Sequence, residues 1–227
     1  MATRLQFPGL CTYCGAEVTR KTAAEHLAKC KPRLAALKKA GRPSPHFPEE
    51  VFHIRAEATY LPEFWLDLEI RGETTFGELD HYLRAIWLEC CGHMSAFEIG
   101  GTRFEPNPDQ GEMYWGPKPR SMAAKAASVL QAGTTFTHDY DFGSTTRLQG
   151  RAHGMVAAGT AKISVLARNA TIVWPCDGCG VPATRVCPYC FAMACASCKA
   201  PCKCGDFGDV ALPVVDSPRM GVCGYCG

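Results

Sequence analysis

Between Phe64 and Ile70 the side chains alternate. Phe64, Leu66, Leu68 and Ile70 fall on one side of an extended chain, and Trp65, Asp67 and Glu69 on the other. That period of two predicts a half-buried strand. Just upstream, VFHIRAEA reads as a second strand. The period then changes. Thr75-Phe76-Gly77-Glu78 has the form of a capping box, and Phe76, Leu79, Leu83, Ile86 and Trp87 follow at helical spacing, so a helix is expected that ends by Gly92. SAFEIGGTRFE predicts a hairpin turning at Gly100-Gly101, and SMAAKAASVL a short second helix. TTFTHDYDFGSTTRLQGRAHG predicts another hairpin turning at Gly143-Ser144, and KISVLARNATIVW one more strand or two short ones.

About six strands and two helices across residues 49–174 make an α+β domain with a central sheet, large enough to enclose its own core. Residues 43–48 are a proline-rich linker in front of it. Residues 1–42 carry a short helical pattern. Residues 175–227 are poor in large apolar side chains, so something other than a hydrophobic core must hold them.

Composition sharpens this picture. A 47% hydrophobic and 20% charged chain folds rather than staying disordered. No apolar run approaches the roughly 18–20 residues of a membrane span, and the start of the chain lacks a signal-peptide core, so a cytoplasmic protein without a membrane partner is expected. In that compartment the 15 cysteines stay reduced, and C-x-x-C pairs read as metal ligands.

The net charge of +2 hides a division. Residues 1–42 hold nine Lys/Arg and two acids, residues 43–150 eight and sixteen, and residues 151–227 seven and four. The acidic middle is a poor nucleic-acid surface. The basic run Arg20, Lys21, Lys29, Lys31, Arg33, Lys38, Lys39 and Arg42 is the candidate contact for DNA or RNA, with a solvated helix face as the ordinary alternative.

That run adjoins the first metal motif. Cys11 and Cys14 form a pair, while His26 and Cys30 sit four apart on a predicted helix and so share a face. The resulting C-x2-C-x11-H-x3-C set closes one zinc site, close in spacing to a nucleic-acid-reading finger. The second motif lies in residues 176–204, where Cys176, Cys179, Cys187, Cys190, Cys195, Cys198, Cys202 and Cys204 supply ligands for two ions. Used sequentially, the middle pairs stand very close together. The run is similar to the cross-braced B-box family, which implies Cys176, Cys179, Cys195 and Cys198 on one ion and Cys187, Cys190, Cys202 and Cys204 on the other. Cys223 is a rival to Cys202 as fourth ligand. About three zinc ions are expected, and spacing alone leaves iron open.

FWLDLEIRGETTFGELDHYLRAIWLECCGHMSAFEIGGTRF and FTHDYDFGSTTRLQG resemble the Ri-plasmid ORF-3-like domain, a family also found among passenger genes of insertion sequences. LPVVDSPRMGVCGYCG resembles the tail of its zinc-bearing members, so the likeness covers about residues 50–227. The resemblance implies a β-grasp-like order of hairpin and helix and a plasmid or mobile-element (transposon passenger) setting. It supplies no reaction. The resolvase label of some relatives finds no Tyr-x-Arg-x-Ser segment here.

Three functions follow. In the first, a basic C2HC zinc finger (1–42) binds nucleic acid and the two-zinc module (175–227) binds protein. In the second, the whole chain is a protein-interaction adaptor. In the third, an enzyme works through Cys91 and His93 or through the Asp139/Asp141 face. Closed thiolate sites and the lack of a catalytic constellation favour a non-enzymatic protein. Cys90 and Cys91, at a predicted helix end, read first as buried core thiols.

Overall fold

The computed structural model describes residues 7–40, 50–109, 117–155, 161–198, 202, 204 and 207–227. Arg42 and the linker 43–48 lie outside the described residues. The chain begins with a small hairpin, β1 (Gly9–Cys11) and β2 (Glu17–Val18), then α1 (Ala23–Lys29) and α2 (Lys31–Ala40). The main body follows with β3 (Val51–Ala58), β4 (Trp65–Arg71), α3 (Phe76–Leu83), β5 (Ser95–Ile99), β6 (Thr102–Glu105), β7 (Arg120–Ser121), β8 (Thr135–Tyr140), β9 (Thr146–Met155) and β10 (Ile163–Asn169).

These ten strands form one sheet in the order β2-β1-β10-β4-β3-β9-β8-β5-β6-β7. Only β6 and β7 run parallel, so the sheet is mixed and the fold is α+β. The core lies on one face. Phe64, Leu66, Leu68 and Ile70 of the β4 region point into it with Phe52, Ile54, Phe97, Phe136, Tyr140 and Leu148. α3 covers them through Phe76, Leu79 and Leu83. Its capping box is complete: Thr75 Oγ1 accepts from the Glu78 amide (3.2 Å), and Glu78 accepts from the Thr75 amide (2.9 Å). The helix then widens into a π turn over Arg84–Leu88, which buries Trp87 and Leu88.

The expected second helix is reduced to a 3₁₀ turn at Ala126–Ser128. Its amides are engaged elsewhere. Ala126 N donates to Thr74 O (2.8 Å) and Ala127 N to Gly72 O (2.9 Å), bonds that continued helix would forbid.

Strand β4 is not half-buried, contrary to its alternation. Asp67 and Glu69 are 0% and 2% exposed, and Trp65 is 1%. The N-terminal segment covers their face. Trp65 packs with Cys11, Val18, Ala23, Leu27, Leu166 and Ala167 in a second apolar cluster. Asp67 accepts from His53 Nε2 (2.8 Å) and from both Arg55 Nε (3.0 Å) and Nη2 (2.5 Å). Burial opposes its ionisation, yet these partners hold its pKa below the usual carboxylate value.

The N-terminal segment is fused to the body as well as laid upon it. β1 pairs antiparallel with β10, Gly9 opposite Asn169. A bulge between Val165 and Ala167 turns β10 so that Leu166 faces the N-terminal cluster. A Cβ on Gly9 would come within 2.4 Å of both Arg168 O and Trp65 Cζ2, so only glycine permits this close pairing.

The C-terminal segment has a small sheet of its own. β11 (Arg185–Val186), β12 (Met193–Ala194) and, after the short α4 (Phe207–Val210), β13 (Leu212–Pro213) pair in the order β12-β11-β13. Among the described residues no helix is long and apolar enough to cross a membrane.

Candidate metal centres

All fifteen cysteines are free thiols. Fourteen of them, with His26 and His93, lie where a tight backbone turn, a helix or a chain crossing brings donors to a common point. Cys11, Cys14, His26 and Cys30 have their ligand atoms mutually within 4.8 Å. Cys11 Sγ is 3.9 Å from Cys30 Sγ, and Cys14 Sγ 3.3 Å from His26 Nε2. Thiolates about 2.3 Å from a tetrahedral zinc stand about 3.8 Å apart, so this spacing suits an ion at the centre. α1 supplies His26, and Cys30 is its C-cap, one turn on.

In residues 176–204 the pairs alternate in space. Cys176, Cys179, Cys195 and Cys198 form one cluster, and Cys187, Cys190, Cys202 and Cys204 another. Cys179 Sγ and Cys195 Sγ are 3.8 Å apart. Arg185 ties this region together, its Nη2 donating to Cys195 O (2.9 Å) and Cys198 O (3.0 Å) while its guanidinium lies over the Phe207 ring.

Three of the pairs share one backbone turn. The amide of the first cysteine donates to the carbonyl five residues on: Cys11 to Ala16, Cys176 to Val181, Cys187 to Ala192. Its carbonyl accepts from the residue four on: Gly15, Gly180 and Phe191. That residue must adopt positive φ, and the three values are 69°, 75° and 63°. Glycine meets the requirement without strain at two turns; Phe191 accepts it and packs its ring on Trp174. The turn aims amides at sulfur, those of Tyr13 and Cys14 at Cys11, Gly178 and Cys179 at Cys176, and Tyr189 and Cys190 at Cys187.

At Cys176 and Cys187 those amides make the thiolates accessible, whereas at Cys11 burial outweighs them and pushes the thiol up. Backbone donation, led by the Cys195 amide, brings Cys176 down to about 6. Burial opposes ionisation of Cys187, but its amide donors outweigh that and bring it to about 7. The last thiol in each of the two sets of residues 176–204 behaves oppositely. Hydrogen bonds to the sulfurs of Cys179, Cys195 and Cys176 push Cys198 up to about 12, and Cys190 chiefly does the same to Cys204. Such a cluster gives up its remaining protons when a cation takes their place.

Cys223 does not join the Cys202 cluster. It lies with Cys90, Cys91 and His93 in a fourth group, again within 4.8 Å. Cys91 and Cys223 are exposed and Cys90 half-buried, so the adjacent cysteines are not sealed core thiols. The helix widens to a π turn and then breaks at Glu89, which turns both toward the tail. The signal available in the sequence was CCGH at a helix end; its partner stands 130 residues further on. Cys226 Sγ donates instead to Gly224 O.

The basic run divides. Arg33 is 5% exposed; its Nη1 donates to Leu27 O (3.1 Å) and its Nη2 stands 3.8 Å from Glu69. It is an internal ion pair, not an outward contact, because α2 rests on the polar face of β4. Arg20 bonds Glu57 (3.0 Å) and Lys29 bonds Glu25 (2.7 Å). Lys21, Lys31, Lys38 and Lys39 are exposed.

The acid–base candidates are also engaged. Asp139 takes two bonds from Arg147 (2.6 and 2.7 Å), and Asp141 takes Arg219 Nη2 at 2.5 Å plus the amides of Gly143 and Ser144. His138 is sealed against Asp80 at 2.7 Å. A cleft of about 710 Å³ opens beside β8 and β9, but its Arg55 and Arg147 are held by Asp67 and Asp139.

No protein-family profile matches the chain. No curated protein matches it. Among solved structures, the chain is similar to a protein of unknown function, MM3350 from Methanosarcina mazei Go1, with 18% identity, 52% of this chain and 68% of that one covered, and a TM-score of 0.43.

Proposed function

We propose that this is a non-enzymatic zinc-binding protein of the Ri-plasmid ORF-3-like, mobile-element kind, in which closed metal centres build two binding modules onto an α+β body. The single observation that carries the reading is ligand closure. Each of the three clusters read from motif spacing gathers four sulfur or nitrogen donors. Four protein ligands fill a tetrahedral zinc and leave no position for water or substrate. An imidazole beside three thiols, as in the N-terminal set, favours zinc over iron. A hairpin followed by a helix, β3-β4-α3, at the start of the body supports the reading.

The modules differ in surface. The N-terminal segment presents Lys21, Lys31, Lys38 and Lys39 outward, which suits phosphate contact. The C-terminal module exposes Tyr189 (72%) and Val181 (48%) around its metal-binding turns, which suits a protein partner.

The test is a titration of zinc-loaded protein with duplex DNA and structured RNA at several salt concentrations, beside a variant with Lys31, Lys38 and Lys39 changed to alanine. Salt-dependent binding, weakened in the variant and with a log–log slope reduced by about 0.9 per lost phosphate contact on duplex DNA, supports the nucleic-acid role. No binding by the parent protein overturns it and leaves the adaptor reading, which Arg33 already favours by being buried against Glu69.

A further inference from the structure

We propose that Cys90, Cys91, His93 and Cys223 hold a fourth zinc-type ion, which clasps the C-terminal tail to the end of α3. This rests on the zinc-binding reading above and adds a site whose ligands come from two distant parts of the chain. Three thiols and one imidazole converge within 4.8 Å, the same donor set as the N-terminal centre. His93 Nε2 is 3.4 Å from Cys223 Sγ and 3.6 Å from Asp141 Oδ2.

The surroundings are built for such a site. In the other clusters, backbone amides of the cysteine turns face the sulfurs. Here Arg219 does so. It is 0% exposed, and its Nε donates to Cys90 Sγ at 3.3 Å. Its other donors reach Ser144 O and Thr146 Oγ1 (3.1 Å each) and Asp141 Oδ2 (2.5 Å), and its guanidinium lies 4.9 Å over the Tyr140 ring. A buried guanidinium donor against a ligand sulfur favours the thiolate form, its charge being shared between Cys90 and Asp141.

Position of the tail is set independently of any ion. Ser217 Oγ donates to Trp87 O (2.6 Å), and the Arg219 amide donates to Ser217 Oγ (2.9 Å). Tyr140 OH accepts from the His93 amide (3.2 Å) and donates to Glu89 (2.9 Å), fixing the Cys90–His93 corner. Cys223 reaches the cluster through a left-handed turn, with φ of 52° there and 65° at Gly224. Both halves of the site are thus held in place before a metal binds.

The rival chemistry is a thiol nucleophile with a histidine base. That needs one thiol free to approach a substrate. Four donors aimed at one point instead describe a closed coordination sphere.

The experiment measures zinc per chain in the full-length protein, purified reduced, and records the visible spectrum after cobalt replacement. The parent is expected to hold four ions. Cys223→Ser is expected to hold three with the far-ultraviolet spectrum unchanged. His93→Cys is expected to keep four, with its cobalt bands moved toward those of an all-thiolate site; this variant reports on the site even if Cys223→Ser fails to fold. A parent with three ions, the parent's zinc content retained in both Cys223→Ser and His93→Ala, or a Cys90–Cys91 disulfide in reduced-purified protein would overturn the proposal while leaving the other centres standing. A parent without zinc would instead overturn the proposed function itself.

Discussion

Arg219 donates from Nε to the sulfur of Cys90, 129 residues earlier in the chain. The same guanidinium also bonds Asp141 in the β8–β9 turn, so one buried side chain joins the helix end, a hairpin and the tail. Replacing it with methionine keeps the volume and removes the charge. Asp141 would then remain a buried carboxylate without its cation. Arg219→Met is expected to destabilise the body by about 3–5 kcal/mol, the usual result of breaking a buried ion pair from one side. Urea unfolding checks this, and Asp141→Asn in the same chain should recover part of the loss.

Asp80 gives a pH prediction. Burial raises its pKa, but bonds from His138 and Ser95 and the charge of Arg84 outweigh that, and the folded-state value lies below the ordinary 3.8. A depressed carboxylate stabilises the fold at pH values above its unfolded pKa, and the contribution disappears as pH falls through the folded one. Asp80→Asn should therefore cost about 1–3 kcal/mol near neutrality, as expected when a buried hydrogen-bonding group loses its partner. Below roughly pH 4 the gap between variant and parent should close. Stability curves at a series of pH values would show a constant gap if the pair were unimportant.

Gly9 tests the seam between the N-terminal segment and the sheet. A methyl group there collides with Arg168 O and the Trp65 ring, both at 2.4 Å. Gly9→Ala is expected to cost about 1–3 kcal/mol, the range for overpacking. The loss should fall on the β1–β10 pairing, so hydrogen exchange at Leu10 and Thr12 should quicken while that at β3 and β9 stays slow. Equal acceleration throughout would place the effect in the whole body.

Removing metal should separate the parts of the molecule. The C-terminal segment buries only small apolar clusters around Cys187 and around Val186, whereas the body encloses more than twenty buried side chains. Apparent zinc affinity in such small modules is of the order of 10–16 kcal/mol and acts as folding energy. A strong chelator is expected to expose residues 175–215 to protease and leave the β3–β10 sheet intact. Cys187→Ser should do the same without chelator. Survival of the segment in metal-free protein would show that its apolar contacts suffice.

Local chemistry was legible in the sequence wherever its determinants are neighbours. The capping box at Thr75, the glycine turn at Gly100-Gly101 and the cysteine turns depend on residues within five positions of each other, so spacing alone specifies them. The inward face of β4 is likewise a matter of period. What covers the other face is not. Trp65, Asp67 and Glu69 are polar or amphipathic enough to face water, and only the docking of α1 and α2 decides that they do not. The same docking turns Arg33 from a candidate phosphate contact into an internal partner of Glu69. Helix propensity at Ala123–Leu130 lost to tertiary hydrogen bonds in which the carbonyls of Thr74 and Gly72 accept from the Ala126 and Ala127 amides. Cys90, Cys91 and His93 find Cys223 only because the tail is pinned at Ser217 and Arg219. The sequence by itself determined the ligand types, their tight turns and the sheet-forming strands. The tertiary structure alone decided which surfaces remain free and which distant thiols meet, since both depend on the packing of segments that no local pattern encodes.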